Sequence, residues 1–113
     1  MDDALLVVLC TVPDADVAAT LGRGLVEARL AACVNVIGGM RSFYTWKGQL
    51  EDQAEVQLLI KTRRSQFDAV EQWLTEHHPY DVPEVLAMPI ERASKPYLAW
   101  VLGQTRRPSE LPP

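Results

Sequence analysis

The chain alternates with a period of two from Cys33 to Trp46 and reads as a strand again from Glu55 to Thr62, and the hairpin these two limbs make limits the fold more than any other stretch. Such alternation marks extended backbone with one buried face, because successive side chains leave opposite sides of a strand. Gly38-Gly39 interrupts the first limb, Cys33 to Trp46, where a bulge or bend is expected. Lys47-Gly48 makes the turn. In the second limb, Glu55 to Thr62, Val56, Leu58 and Ile60 share one face, and Glu55, Gln57, Leu59 and Lys61 the other. A hairpin of this length exceeds what a small sheet can pair with, and its far end carries Phe43, Tyr44 and Trp46. Overhanging strands leave edges that need cover, so an oligomer is expected.

The flanking segments complete the pattern. Leu5 to Cys10 is a continuous apolar run suited to a central strand. Pro13-Asp14 ends it, Asp14 is placed to cap a helix, and Val17, Leu21, Leu25 and Ala28 recur at helical spacing. Gly22 and Gly24 each weaken that helix by about 1 kcal/mol relative to Ala. Ser65 is the expected cap of a second helix with Phe67, Val70 and Leu74 inward and Trp73 beside them; Pro79 ends it. Val85 to Ile90 reads as a fourth strand, placed at an edge by Pro89. Ser94-Lys95-Pro96 opens a last helix with Tyr97, Leu98, Val101 and Leu102, and Gly103 is its expected stop. The fold class is α+β: a ferredoxin-like split βαβ sandwich (βαββαβ plus a C-terminal helix), with an antiparallel sheet and a long β-hairpin arm. Residues 1–105 are expected to form one domain, for which 113 residues at 48% hydrophobic content suffice, and 106–113 a flexible tail.

Chemistry concentrates in His77-His78-Pro79-Tyr80-Asp81-Val82-Pro83-Glu84, where two imidazoles, a phenol and carboxylates sit on a proline-stiffened connection. Such a loop suits a metal or an anion, although a histidine at a helix end also answers to the helix dipole alone. The net charge of −4 argues against nucleic acid as partner. No apolar run is long enough to span a bilayer, and Met1-Asp2-Asp3 lacks the basic start of a signal peptide, so a cytoplasmic protein is expected. Two cysteines, Cys10 and Cys33, are too few for a disulfide scaffold. There is no nucleophile elbow, zinc protease motif or glycine-rich phosphate cradle, and the chain is not read as an enzyme.

Five segments, taken in order, resemble the CutA divalent-cation tolerance proteins. They are Val8-Leu9-Cys10-Thr11, Leu30-Ala31-Ala32-Cys33-Val34-Asn35, Ser42-Phe43-Tyr44-Thr45-Trp46-Lys47-Gly48, the run from Glu55 to Thr62, and His78-Pro79-Tyr80-Asp81-Val82-Pro83-Glu84. The resemblance covers about Leu6 to Leu102 and implies a cytoplasmic ferredoxin-like homotrimer tied to divalent cations, copper in particular. It points to Cys10, Cys33 and His77 as metal ligands, a soft and borderline donor set that suits copper. The predicted topology opposes one shared site. The first two strands run parallel with the third between them, which puts the two thiols at opposite ends of the sheet, roughly 15 Å apart.

The same topology gathers Cys10 and the His77–Glu84 loop at one pole and sets Cys33 beside Lys61 and Thr62 at the other. In a trimer the hairpin of one subunit would bring Tyr44 or Trp46 to its neighbour's loop. That suggests an intersubunit cleft lined by Tyr44, Trp46, Glu55, Lys61, His78, Tyr80 and Glu84. The alternative function is a signalling or scaffold trimer, similar to the PII proteins, that binds a small anionic ligand there. Plainer roles stand beside these: Cys10 and Cys33 as small buried hydrophobes, His78 as a loop anchor, Lys61 in a strand-face ion pair, and Trp46 as an interface anchor.

Overall fold

The computed structural model describes residues 3–105, so the tail expected at 106–113 lies outside the described residues. The elements follow the expected order: β1 (Leu5–Val12), α1 (Ala15–Glu27), β2 (Cys33–Trp46), β3 (Gln49–Arg63), α2 (Phe67–His77), β4 (Leu86–Pro89) and α3 (Lys95–Gln104). The sheet is antiparallel in the order β2-β3-β1-β4, so the fold is α+β and β3 lies between β1 and β2. Pro89 lies in edge strand β4, where a missing N–H costs the ladder least.

Helices α1 and α2 cover one face of the sheet. Val8, Cys10 and Val12 of β1 and Leu58 and Ile60 of β3 meet Ala18, Leu21, Leu25, Val70 and Leu74 in the main core. The other side chains of β1 and β3 must leave the opposite face, which neither helix covers. Val7, Leu9 and Leu59 are half-buried there, and Leu86 and Met88 of β4, paired with Leu9 and Val7, are exposed. Helix α3 packs through Val101 and Leu98 on Leu5, Ala32 and Ile90, at the end of the sheet where β1 begins. No helix among the described residues is long and apolar enough to cross a membrane.

The hairpin β2–β3 closes through Lys47 and Gly48, both at positive φ (52° and 77°), the conformation that suits the twist of a two-residue hairpin turn. Its register slips between Ile37 and Met40, and Gly39 there adopts φ 80°, so the bulge falls where the glycine pair expects it. β1 ends its pairing at Val12↔Val56, while β2 and β3 continue to Trp46↔Gln49. This arm stretches the molecule to 49 × 30 × 23 Å and its radius of gyration to 15.0 Å. A compact chain of similar length would have about 13 Å.

Three local expectations need correction. Ser65 does not cap α2: a 3₁₀ turn over Arg64–Gln66 precedes the helix, Gln66 takes the cap position without a side-chain bond, and Ser65 instead bonds through N–H and Oγ to Asp3. Ala28 is the exposed end of α1, one turn past its last buried residue, Leu25. Gly103 does not stop α3, which runs to Gln104 and closes on Thr105, whose Oγ1 donates to the carbonyl of Val101 at 2.7 Å. The cap at Asp14 stands, with Oδ1 accepting from the Val17 N–H at 2.8 Å.

Candidate functional site

The connection from α2 to β4 is held by its own imidazole. Pro79 forces His78 out of helical geometry (φ −77°, ψ 140°), so α2 ends at His77 and the chain turns toward β1. His78 is buried, with Nδ1 accepting from the Tyr80 N–H at 3.0 Å and Nε2 lying 2.8 Å from the carbonyl of Thr11. Because Nδ1 accepts, the ring proton sits on Nε2 and is donated to Thr11. Both nitrogens are therefore used in pinning the loop to β1, and His78 is an anchor.

Above this anchor a cleft of about 620 Å³ opens between the loop and the root of the hairpin arm. One wall is Pro79 to Val82 with Glu84, the other is Ser42 to Tyr44 with Trp46, and Glu55 and Thr11 form the base. Glu55 is only 6% exposed, and its Oε2 accepts from the Tyr80 hydroxyl at 2.6 Å. Glu84 Oε1 accepts from Thr11 Oγ1 at 2.9 Å. Burial, then the hydrogen bond to Glu55 and that carboxylate's charge, push the Tyr80 phenol well above the ordinary tyrosine range. Tyr44 shifts the same way through desolvation and then the charges of Glu55 and Glu51. Three carboxylates, Glu55, Asp81 and Glu84, line the cleft, and among the described residues no Lys, Arg or His does.

Five of the residues expected in an intersubunit cleft (Tyr44, Trp46, Glu55, Tyr80 and Glu84) thus line one cleft within a single chain. His78 lies behind its wall as the anchor. Lys61 does not belong to it: it faces Cys33 and Val7 across the ladders and borders a shallow apolar hollow with Leu5, Ile90 and Tyr97. The expectation of a small anionic ligand loses its cation with Lys61, since the charged groups lining the cleft are all acidic. Sequence reading missed Asp81 and Thr11 as cleft residues. Asp81 was visible in the loop motif, whereas Thr11 is marked only by its alternation out of the core strand.

The three expected metal ligands are not brought together. Cys10 is completely buried in the main core, where desolvation, helped by the charge of Glu84, pushes its thiol up to about 12. A thiol so placed resists forming the thiolate that a metal requires. Cys33 faces Lys61, and Lys61 faces Val7, which is three residues from Cys10 along β1. That register separates the thiols by about 10 Å along the strands and two strand spacings across them, about 14 Å in all. His77 lies exposed, stacked on Trp73 with ring centroids 3.9 Å apart, and its Nδ1 sits 2.7 Å from the Trp73 carbonyl. Among the described residues no group of three His, Cys, Asp or Glu is arranged to hold a metal ion. Within one chain the Cys10–Cys33–His77 set does not fit copper.

Residues 6–104 match the family model described as CutA1 divalent ion tolerance protein. The chain is 46% identical over 101 residues to the divalent-cation tolerance protein CutA of Pectobacterium atrosepticum, covering 89% of this chain and 92% of that protein. It is 52% identical over 91 residues to a protein CutA homolog of Xenopus laevis, covering 80% of this chain but only 60% of that relative's length. In three dimensions it is similar to the divalent cation tolerance protein Cut A1 of Thermus thermophilus, with a TM-score of 0.87 at 42% identity over 90% of this chain and 99% of the other. The family is named for tolerance of divalent ions and not for a reaction.

Proposed function

The chain belongs to the CutA1 divalent ion tolerance family, and from that premise we propose that it works as a cytoplasmic homotrimer binding divalent cations, copper among them, on its surface. The observation that carries this reading is the contrast between Cys10, sealed in the core, and His77, exposed with a free ring nitrogen. A carbonyl oxygen only accepts, so Nδ1 of His77 carries a proton, and Nε2 is the ring nitrogen left to face a metal. Two free cysteines agree with a reducing compartment. Assembly is supported by the uncovered sheet face, with Leu86 56% exposed, and by the arm, where Phe43 and Leu50 are 61% and 77% exposed.

Copper titration of the reduced protein, with sedimentation of the same samples, tests this. Saturable uptake by a particle three times 12.6 kDa, weakened at least tenfold by His77→Ala and unchanged by Cys10→Ala, is the expected result. Uptake that survives His77→Ala but vanishes with Cys10→Ala overturns it.

A second reading, ligand binding by the same trimer, is favoured by the cleft itself. Its volume lies within the range of small-molecule sites, and its walls are aromatic with a few placed polar groups.

A further inference from the structure

Glu55 is unusual among the acidic side chains. It is more than nine-tenths buried, lies at the base of an open cleft, and among the described residues receives one hydrogen bond, from the neutral Tyr80 hydroxyl at Oε2. The ion pairs found among the described residues are Arg41–Asp52 and Arg63–Asp3, so none of their cations pairs with Glu55, Asp81 or Glu84. Desolvating a carboxylate against one neutral donor is costly unless a cation compensates it. The walls above it are the rings of Tyr44, Trp46 and Tyr80. Ring faces attract organic cations such as alkylammonium heads, whereas a small divalent ion needs several oxygens converging on one point, which the described residues do not provide. The Lys47 ammonium, 6.0 Å from the centre of the Trp46 ring, sits beside that ring, and Lys47 does not line the cleft.

We propose that the cleft binds a small organic cation, an alkylammonium, with its charged head against Glu55 and its hydrocarbon between Tyr44, Trp46 and Tyr80. This deepens the reading of the cleft as a ligand site and is independent of metal binding at His77.

The test is calorimetric titration of the assembled protein with 1,4-diaminobutane, alongside 1,4-butanediol, succinate and magnesium chloride at matched ionic strength. The expected result is saturable diamine binding that is at least tenfold weaker in Glu55→Gln, which keeps the Tyr80 bond and removes the charge, and in Tyr44→Leu. The diol and succinate are expected to bind at least tenfold more weakly than the diamine. Equal binding by wild type and Glu55→Gln overturns the proposal, since only diffuse surface charge would then be at work. Displacement of the diamine by equimolar magnesium overturns it in favour of a metal site. Absence of diamine binding beside intact copper uptake removes the organic cation and leaves the metal reading standing.

Discussion

Cys10 shows how little a residue type says without its surroundings. As a thiol in a chain tied to divalent cations it invites a ligand role, yet its side chain is enclosed by Val8, Val12, Leu21, Leu58 and their neighbours in the core. Two consequences are measurable. In the native protein a thiol reagent modifies half-buried Cys33 and leaves Cys10 untouched until the chain unfolds, which mass spectrometry of the labelled peptides reads directly. The second concerns alkali. The thiol is raised from 9.0 to about 12 by folding, so its contribution to stability is complete below pH 9 and lost as pH rises through about 12. Wild type therefore loses up to about 1.4 kcal/mol per pH unit in that window from this group. Denaturant unfolding of Cys10→Ala, although less stable at neutral pH, is expected to show a shallower decline between pH 9 and about 12. A parallel decline in both proteins contradicts the assignment.

At the scale of elements, the packing of α1 against α2 depends on a residue that weakens α1 when considered alone. A Cβ on Gly24 would lie 2.5 Å from Cζ2 and 2.7 Å from Cη2 of Trp73, so the bare backbone is what lets the indole lie across α1. Gly24→Ala gains helix propensity but forces the indole aside, away from its stack on His77. The net expectation is a loss of about 1–3 kcal/mol in chemical denaturation, largely regained in Gly24→Ala/Trp73→Leu. If Gly24→Ala alone is stabilising, propensity outweighs the packing. Strand identities, the bulge, the turn and the Asp14 cap were all legible because each is a local matter of alternation, positive φ or a side chain reaching its own helix. The α2 cap was not legible. Ser65 has the right chemistry, but Asp3, 62 positions away in sequence, takes its hydrogen bonds. Gly103 misled for a local reason instead, since Thr105 closes α3 by returning its hydroxyl to Val101.

For the whole molecule, the decisive feature is that α1 and α2 cover one face of the sheet while α3 reaches only the Leu5 end of the other. Val7, Leu9 and Leu59 on the open face continue into Leu86 and Met88, and the arm adds Phe43, Trp46 and Leu50. Charge on that face should oppose assembly without touching the main core. Leu86→Glu/Met88→Glu is expected to sediment as a single 12.6 kDa chain with unchanged far-ultraviolet dichroism, and Trp46→Ala to loosen the assembly through loss of an aromatic anchor. A double variant that keeps the wild-type mass places the interface elsewhere.

The order of elements, the long arm, the pole at which the His77–Glu84 loop gathers and the impossibility of joining Cys10 to Cys33 could all be read from the chain alone. Periodicity and strand direction are properties of the chain, and they follow wherever it folds. Four outcomes came only with the folded molecule: the cleft forms within one chain, Lys61 stands outside it, His78 spends both nitrogens on anchoring the loop, and Glu55 is buried without a cation among the described residues. Those outcomes depend on which side chains from distant strands meet in space, and on how far each is withdrawn from water.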